Sequence, residues 1–443
     1  MLKTPPTLTE ERLNLFQEMS EYIDSSDYSS YTLQYPPPFL SKNIENTDEV
    51  LFSYSQIQDS IWLYVHIPFC STKCTFCRYF SFVSLDEQLY SKYIDYLILE
   101  LKMYKKYLPK KTKLSSVYIG GGTPNIVSAQ DLEKLLSYIF ENFSKTDDFQ
   151  FCIEFNPHQS DTQKLDVIKK YGCHRLTIGV QSMDEKVLQA INRDQTKEDV
   201  VRTIKYAKKI GIPYVNIDMM MGISGQSLHS FIHDLQLLVG LEPDMIHMHP
   251  FFPTKRTIDN SIPLLTQKLR TTMQAMGNKL LQSAGYSWSD KDAMGKTEFS
   301  DNKQLSDATS LGKYLWIWIS AVGFNGAYRS INVPTIPKYF SLIDSWKLPV
   351  EFSTCLTPED NMIQFMVYQM RYGKISILKF QELFWKDPAV VFAEAFRELS
   401  RLWKISFTSD EILCNFQTIQ EYLVYSKIFY SDEIIKYYVQ HKG

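Results

Sequence analysis

Three of the chain's seven cysteines, Cys70, Cys74 and Cys77, fall within eight positions of the stretch HIPFCSTKCTFC, a C-x3-C-x2-C spacing. Three thiolates this close can each hold one iron of a four-iron, four-sulfur cube. The fourth iron then lacks a protein ligand and can bind a small molecule, whereas four-cysteine electron carriers keep their clusters closed. Zinc is the competing metal, and its tetrahedral sites want a fourth Cys or His at comparable spacing. The next residues, Arg78, Tyr79 and Phe80, offer none, and His66 upstream is as readily a packed or hydrogen-bonded residue. The other cysteines, Cys152, Cys173, Cys355 and Cys414, are scattered among apolar residues, where a thiol acts as a small hydrophobe.

The elements around the cysteines alternate between strand and helix. Apolar runs predict strands at Ile61–Val65, Leu114–Ile119, Phe149–Phe155, Arg175–Val180, Tyr214–Met219 and Met245–His249. Helical patterns lie between them, at about 85–107, 129–143, 162–171, 197–209 and 228–238, with a further helix carrying Asn192 and Arg193. Such alternation marks parallel βαβ units of an α/β fold, and six of them suit a barrel-like sheet. Reactive groups in these sheets gather at the C-terminal strand ends. The cysteine loop, the triple glycine Gly120–Gly122, Glu154, Gln181 and Asp218 all fall there, so one shared site is expected.

Each group has a chemical reason to be present. A sulfonium ligand with an amino-acid end can chelate an open iron through its amine and carboxylate. A glycine-rich strand end lets backbone groups approach the ammonium without a Cβ in the way. Glu154 can accept from the amino group, and Arg193 can meet the carboxylate as a charge-assisted pair. Asp218 can accept from ribose hydroxyls, and Gln181 can serve either end. A mutual or surface salt bridge between Arg193 and Glu154 is the plainer alternative.

Composition sets the frame. Of 443 residues, 44 % are hydrophobic and 22 % charged, with 47 basic and 50 acidic side chains and a net charge of −3. That is ordinary for a globular protein, and nothing in it calls for a nucleic-acid partner. No stretch is apolar enough for a membrane span, and the N-terminus MLKTPPTLTEERL lacks a secretory apolar run. A cytoplasmic protein with reduced thiols is therefore expected, with no membrane partner. The 28 Tyr and 27 Phe fit large cores, or a site shaped for a flat ligand.

The loop YVHIPFCSTKCTFC resembles the radical S-adenosylmethionine (SAM) superfamily, and within it the oxygen-independent coproporphyrinogen III oxidase-like branch. Gly120–Pro124, Glu154–Pro157, Gly179–Ser182, Asn192-Arg193 and Asp218–Gly222 extend the resemblance. So do Tyr31–Pro37 near the N-terminus and Met370–Gly373 near the C-terminus. The resemblance implies a partial (β/α)6 barrel over 59–335, including a polar helix-and-loop insertion at about 261–310. An N-terminal extension (1–58) would precede it, and a mostly helical accessory domain (355–443) would pack across the barrel mouth. It further implies that Cys70, Cys74 and Cys77 ligate a 4Fe–4S cluster and that Tyr64 lines the nucleoside end of SAM. A flavodoxin- or ferredoxin-type donor would supply one electron. A second SAM would draw on the triple glycine, with Gly121 and Gly122 in it and Thr123 just after it, and on Gly323 to Ala327.

Two departures bear on the reaction. Coproporphyrinogen dehydrogenases carry a fourth cysteine two residues after the third, and here that position is Tyr79. Haem chaperones of the branch carry a His-Asn-x-x-Tyr-Trp element, and Ser310–Trp318 has Tyr314 and Trp316 but no histidine. The expectation is therefore radical transfer of a methyl or methylene unit from the second SAM to an unsaturated carbon of a small-molecule or natural-product substrate. Oxidative decarboxylation of the coproporphyrinogen type, a haem-opening methylase and a non-catalytic haem carrier remain as alternatives. A proton must leave when a radical adduct is resolved. His247 and His249, alternate residues on the sixth strand, share one face and are candidates for that base or for a substrate ligand. His174, before a strand start, is read as structural.

Overall fold

The computed structural model describes residues 35–36, 41–44, 47–57, 60–259, 263–290, 293–296, 311–416, 419–431, 434–436 and 440. Six strands follow the predicted order: β1 (Ser60–Ile67), β2 (Lys113–Gly121), β3 (Ser144–Phe155), β4 (Arg175–Gln181), β5 (Tyr214–Met221) and β6 (Met245–Pro250). Each pairs in parallel with the next. A seventh parallel strand, β7 (Lys313–Ile317), lies against the free edge of β1, outside the six expected. From there the chain turns back as an antiparallel meander, β8 (Val322–Phe324), β9 (Tyr328–Asn332) and β10 (Val350–Cys355).

The alternation within β1 explains the layering. Ile61, Leu63, Val65 and Ile67 are almost fully buried, while Trp62, Tyr64 and His66 point to the opposite, inner face. The outer residues pack against helices α1 (Asp48–Ser55), α2 (Glu87–Tyr107) and α3 (Ala129–Asn142), which give Leu97, Leu101, Leu132 and Leu136 to the same core. Helix starts are fixed locally. Asp86 caps α2 and Ser128 caps α3. Next come α4 (Thr162–Lys170) and α5 (Glu185–Ala190), and then α6 (Lys197–Lys209) and α7 (Leu228–Val239), both opened by capping boxes.

Asn192 and Arg193, expected on a helix, lie beyond it. Helix α5 stops at Ala190, and Asn192 takes a left-handed turn at φ 56° that asparagine tolerates better than most residues. The polar insertion holds helix α8 (Gln267–Ser283) and a short hairpin, Ser287–Asp290 with Ala293–Gly295, that extends the sheet beyond β6. Helix α8 sits close to the barrel at Gly277. A Cβ there would meet Met248 Sδ at 2.8 Å. Residues 297–310, part of the same expectation, lie outside the described residues.

A second core is built on helix α9 (Pro358–Arg371) and the short helices that follow, joined by Phe365, Phe380, Phe396 and Phe429. The expected helical domain also contains a three-stranded antiparallel sheet, of Lys374–Ser376, Glu411–Cys414 and Ile405–Phe407. Tyr35 is buried in this core and donates to Asp360 at 3.0 Å, so the N-terminal Tyr-Pro element docks on the C-terminal part. Tyr31–Gln34 and Pro37 of that element lie outside the described residues. No described helix is long and apolar enough to cross a membrane.

Candidate active site

The C-terminal strand ends converge on one open cleft. Cys70, Cys74 and Cys77 line one side. Gly121, Gly122 and Thr123 lie beneath them, and Glu154, Gln181, Arg193 and Asp218 complete the wall. All the predicted polar residues from the first five strands thus meet in one place.

The cysteine loop is held from three directions. Thr75 N–H donates to Ile191 O at 3.1 Å, and Asn192 Nδ2 donates to Lys73 O at 3.0 Å, tying the loop to the turn after α5. From the opposite flank Thr254 Oγ1 donates to Thr75 O at 2.6 Å and Arg256 Nη1 to Cys74 O at 3.2 Å. His66 supplies the third tie. Its Nε2 lies 2.9 Å from Phe80 O, which can only accept, so Nε2 carries the proton. Nδ1 must then accept, and Tyr64 Oη donates to it at 2.9 Å. Burial drives the His66 pKa down to about 4, so the ring stays neutral in this chain of bonds.

The triple glycine exists for close approach. A Cβ on Gly122 would fall 2.7 Å from both Cys70 Sγ and Phe69 O, and one on Gly121, at φ +133°, would fall 2.5 Å from Ile67 O. The cradle therefore fits a group bound at the three sulfurs with backbone beside it. Thr123 Oγ1 lies 3.6 Å from Cys70 Sγ, and Arg193 Nη1 lies 3.8 Å from Cys74 Sγ. Burial pushes the Cys77 thiol up, and the Lys73 ammonium opposes this. The three-sulfur donor set with adjacent cations suits an anionic iron–sulfur cluster.

Glu154 and Arg193 form no salt bridge with each other. The Glu154 carboxylate accepts from Tyr118 Oη at 2.5 Å and from the Gly121 N–H. Burial raises its pKa to about 7, against the pull of the Tyr118 bond. Arg193 donates through Nε to Gln195 Oε1 at 2.5 Å and through Nη2 to Gly179 O. Gly179 leaves room for this, since a Cβ would meet Gln181 Nε2 at 3.1 Å and Arg193 Nη2 at 3.2 Å. Gln181 itself sits at φ 67°, an uncommon conformation for a residue with a side chain.

Asp218 accepts from Asn216 Nδ2 at 3.3 Å and faces His249 Nε2 at 3.7 Å. Burial alone would raise its pKa, but His249 and His247 hold it below the ordinary value. The two histidines share a strand face as expected, with rings 5.4 Å apart, beside the cleft wall and not among its lining residues. Tyr64 also stands one layer behind the lining, its hydroxyl at the back of Gly120. Gly323 and Ala327 are not brought to this cleft. Gly323 lies on β8 against Tyr54 and Ser330, where a Cβ would fall 2.5 Å from Tyr54 Oη. His174, before β4, packs on Tyr214 at 4.9 Å, away from the site.

Sequence reasoning missed the residues one step below the strand ends. Tyr118, Thr177 and Asn216 lie two positions before Gly120, Gly179 and Asp218 on the same strand faces. Thr177 lines the cleft, Tyr118 holds Glu154, and Asn216 holds Asp218. Period-two alternation was the signal that pointed to them. Lys73 was also missed. Its Nζ donates to Tyr79 O at 2.9 Å, bracing the loop from inside.

The family model described as the radical SAM superfamily matches residues 64–238. The chain is 26 % identical over 409 residues to an oxygen-independent coproporphyrinogen III oxidase of Helicobacter pylori, covering 87 % of this chain and 88 % of that protein. It is 24 % identical over 345 residues to the heme chaperone HemW of Bacillus subtilis, covering 76 % of this chain and 90 % of that one. Among solved structures it resembles coproporphyrinogen III oxidase (HemN) from Escherichia coli, described as a radical SAM enzyme. The TM-score is 0.78 at 21 % identity, over 90 % of this chain and 96 % of that one.

Proposed function

Because residues 64–238 are a radical SAM domain of the coproporphyrinogen III oxidase-like branch, we propose that this chain reductively cleaves SAM and turns the resulting 5′-deoxyadenosyl radical on a small-molecule substrate. The observation that carries the reading is the convergence of Cys70, Cys74 and Cys77 with Glu154 and Arg193 in one cleft. When bound at the three sulfurs, a 4Fe–4S cluster supplies the electron for SAM cleavage, received from a flavodoxin- or ferredoxin-type donor.

The chain's own groups do the positioning. The Glu154 carboxylate, on the cleft wall, accepts from an N–H of the amino group at the amino-acid end. Arg193, already braced by Gly179 O and Gln195, sets its charge beside Cys74 for the carboxylate. Bare backbone at Gly121 and Gly122 lets the ligand lie against the strand end. Asp218 and Gln181 stand on the wall where ribose hydroxyls need acceptors.

For the reaction itself, the near full-length similarity to oxygen-independent coproporphyrinogen III oxidases supports hydrogen abstraction and oxidation of a carboxylate-bearing substrate. A second reading, methyl or methylene transfer from a second SAM, is favoured by one observation: Tyr79, exposed at the cleft, stands where those oxidases place a cysteine. Anaerobic turnover with coproporphyrinogen III distinguishes them. Carbon dioxide with 5′-deoxyadenosine supports the oxidase reading. S-adenosylhomocysteine formed together with 5′-deoxyadenosine supports transfer. With neither co-product and haem retained, the carrier reading replaces both.

A further inference from the structure

Asp218, which lines the cleft, belongs to a second set of metal-ligating side chains whose other members stand beside that wall. Parallel pairing of β5 with β6 sets Asp218 directly opposite His247, and His249 follows two residues on, on the same face. One oxygen of Asp218 and one nitrogen from each histidine lie within 4.8 Å of one another. His249 Nε2 and Asp218 Oδ1 are 3.7 Å apart, longer than a hydrogen bond but close to the separation of two donors on one cation at about 2.1 Å each. Asn216 Nδ2 fixes the carboxylate from below at 3.3 Å, as outer partners of ligating carboxylates do. All three residues are partly exposed, so an ion can enter.

We propose that Asp218, His247 and His249 form a site for a first-row divalent cation, separate from the cysteine site and beside the cleft wall that Asp218 lines. Two imidazoles and a carboxylate suit Mn2+, Fe2+ or Zn2+ and leave coordination positions unfilled by protein. The cation takes an oxygen donor of the substrate, a carboxylate or enolate, and anchors it at the Asp218 side of the cleft. A carboxylate has two oxygens, so Asp218 can give one to the cation and the other to a ribose hydroxyl.

The test is Mn2+ binding to the cluster-loaded protein, held oxidised so that the 4Fe–4S centre is silent in electron paramagnetic resonance. Free Mn2+ is read from its six-line signal, and Zn2+ is added as competitor. The expected result is one Mn2+ per chain, displaced by Zn2+ and retained when SAM is present. His247→Gln and His249→Gln should each weaken binding by roughly tenfold or more while the iron content holds. The triple variant Cys70→Ala/Cys74→Ala/Cys77→Ala should still bind one Mn2+, and Asp218→Asn should not. No stoichiometric binding in the wild type overturns the proposal. So does binding unchanged in both histidine variants, or loss of the ion on adding SAM. None of these readouts depends on turnover, so failure here leaves the SAM-cleavage reading standing.

Discussion

Tyr118 donates to the Glu154 carboxylate at 2.5 Å, and this bond, with the Gly121 N–H, holds an ionisable acid in the wall of the cleft. The carboxyl titrates near 7 because burial outweighs the hydrogen bonds. Below its ordinary 4.5 it is neutral whether folded or unfolded. The cost of ionising it in the fold grows between there and about 7 and is complete above, so this group lowers folded-state stability as pH rises through that window. The amino N–H of SAM is a donor and is accepted best by the ionised form. SAM affinity of the cluster-loaded protein should therefore weaken below pH 7, by up to about tenfold per unit. Glu154→Gln should bind more weakly and lose most of this pH dependence, as measured by equilibrium dialysis at pH 6, 7 and 8. A parallel pH profile in wild type and variant would refute the role.

Gly122 is set against Cys70 with no space for a methyl group, since a Cβ would fall 2.7 Å from Sγ. Gly122→Ala should fold but lose most of its cluster, with iron content falling several-fold after reconstitution. Gly240→Ala makes only ordinary contacts, the nearest at 3.4 Å, and should leave iron content unchanged. Equal iron in the two variants would contradict the cradle.

Arg193→Lys keeps the charge but loses the fork that reaches Gly179 O and Gln195. SAM binding should weaken roughly tenfold, the size of one charge-assisted hydrogen bond of about 1.5 kcal/mol. Isothermal titration of the loaded protein checks this. Unchanged affinity would return Arg193 to a purely structural role.

The strand ends were legible in the sequence because parallel strands buried on both sides read as apolar runs that stop at polar residues. Glu154, Gln181 and Asp218 met where that rule put them. The turn after α5 was misread because Asn192 continues a helical pattern, and only its left-handed backbone and its bond to Lys73 O break it. Gly323 and Ala327 resembled a second binding loop, yet β8 turns away from the cleft into an antiparallel meander whose direction depends on long-range pairing with β9. Strand β7 was missed because its place beside β1 depends on contacts about 250 residues away in sequence. Short-range patterning carries no record of such pairings.

Tyr35 lies outside the cleft and tests how the two ends of the chain meet. Tyr35→Phe removes the hydroxyl that donates to Asp360 while leaving the ring against Tyr430. The loss should be about 1 kcal/mol. A lower urea midpoint in denaturation followed by circular dichroism, with iron content unchanged, is the expected outcome. An unchanged midpoint would show that this bond adds nothing to the docking.

The central claim, that three cysteines in this cleft bind a cluster that cleaves SAM, is tested most directly by measuring 5′-deoxyadenosine. The protein is reconstituted anaerobically, given SAM and a strong reductant, and analysed beside Cys74→Ala. Accumulation of 5′-deoxyadenosine in the wild type and none above background in the variant is the predicted result. Equal, background-level amounts in both, with an intact 4Fe–4S cluster in the wild type, would contradict it.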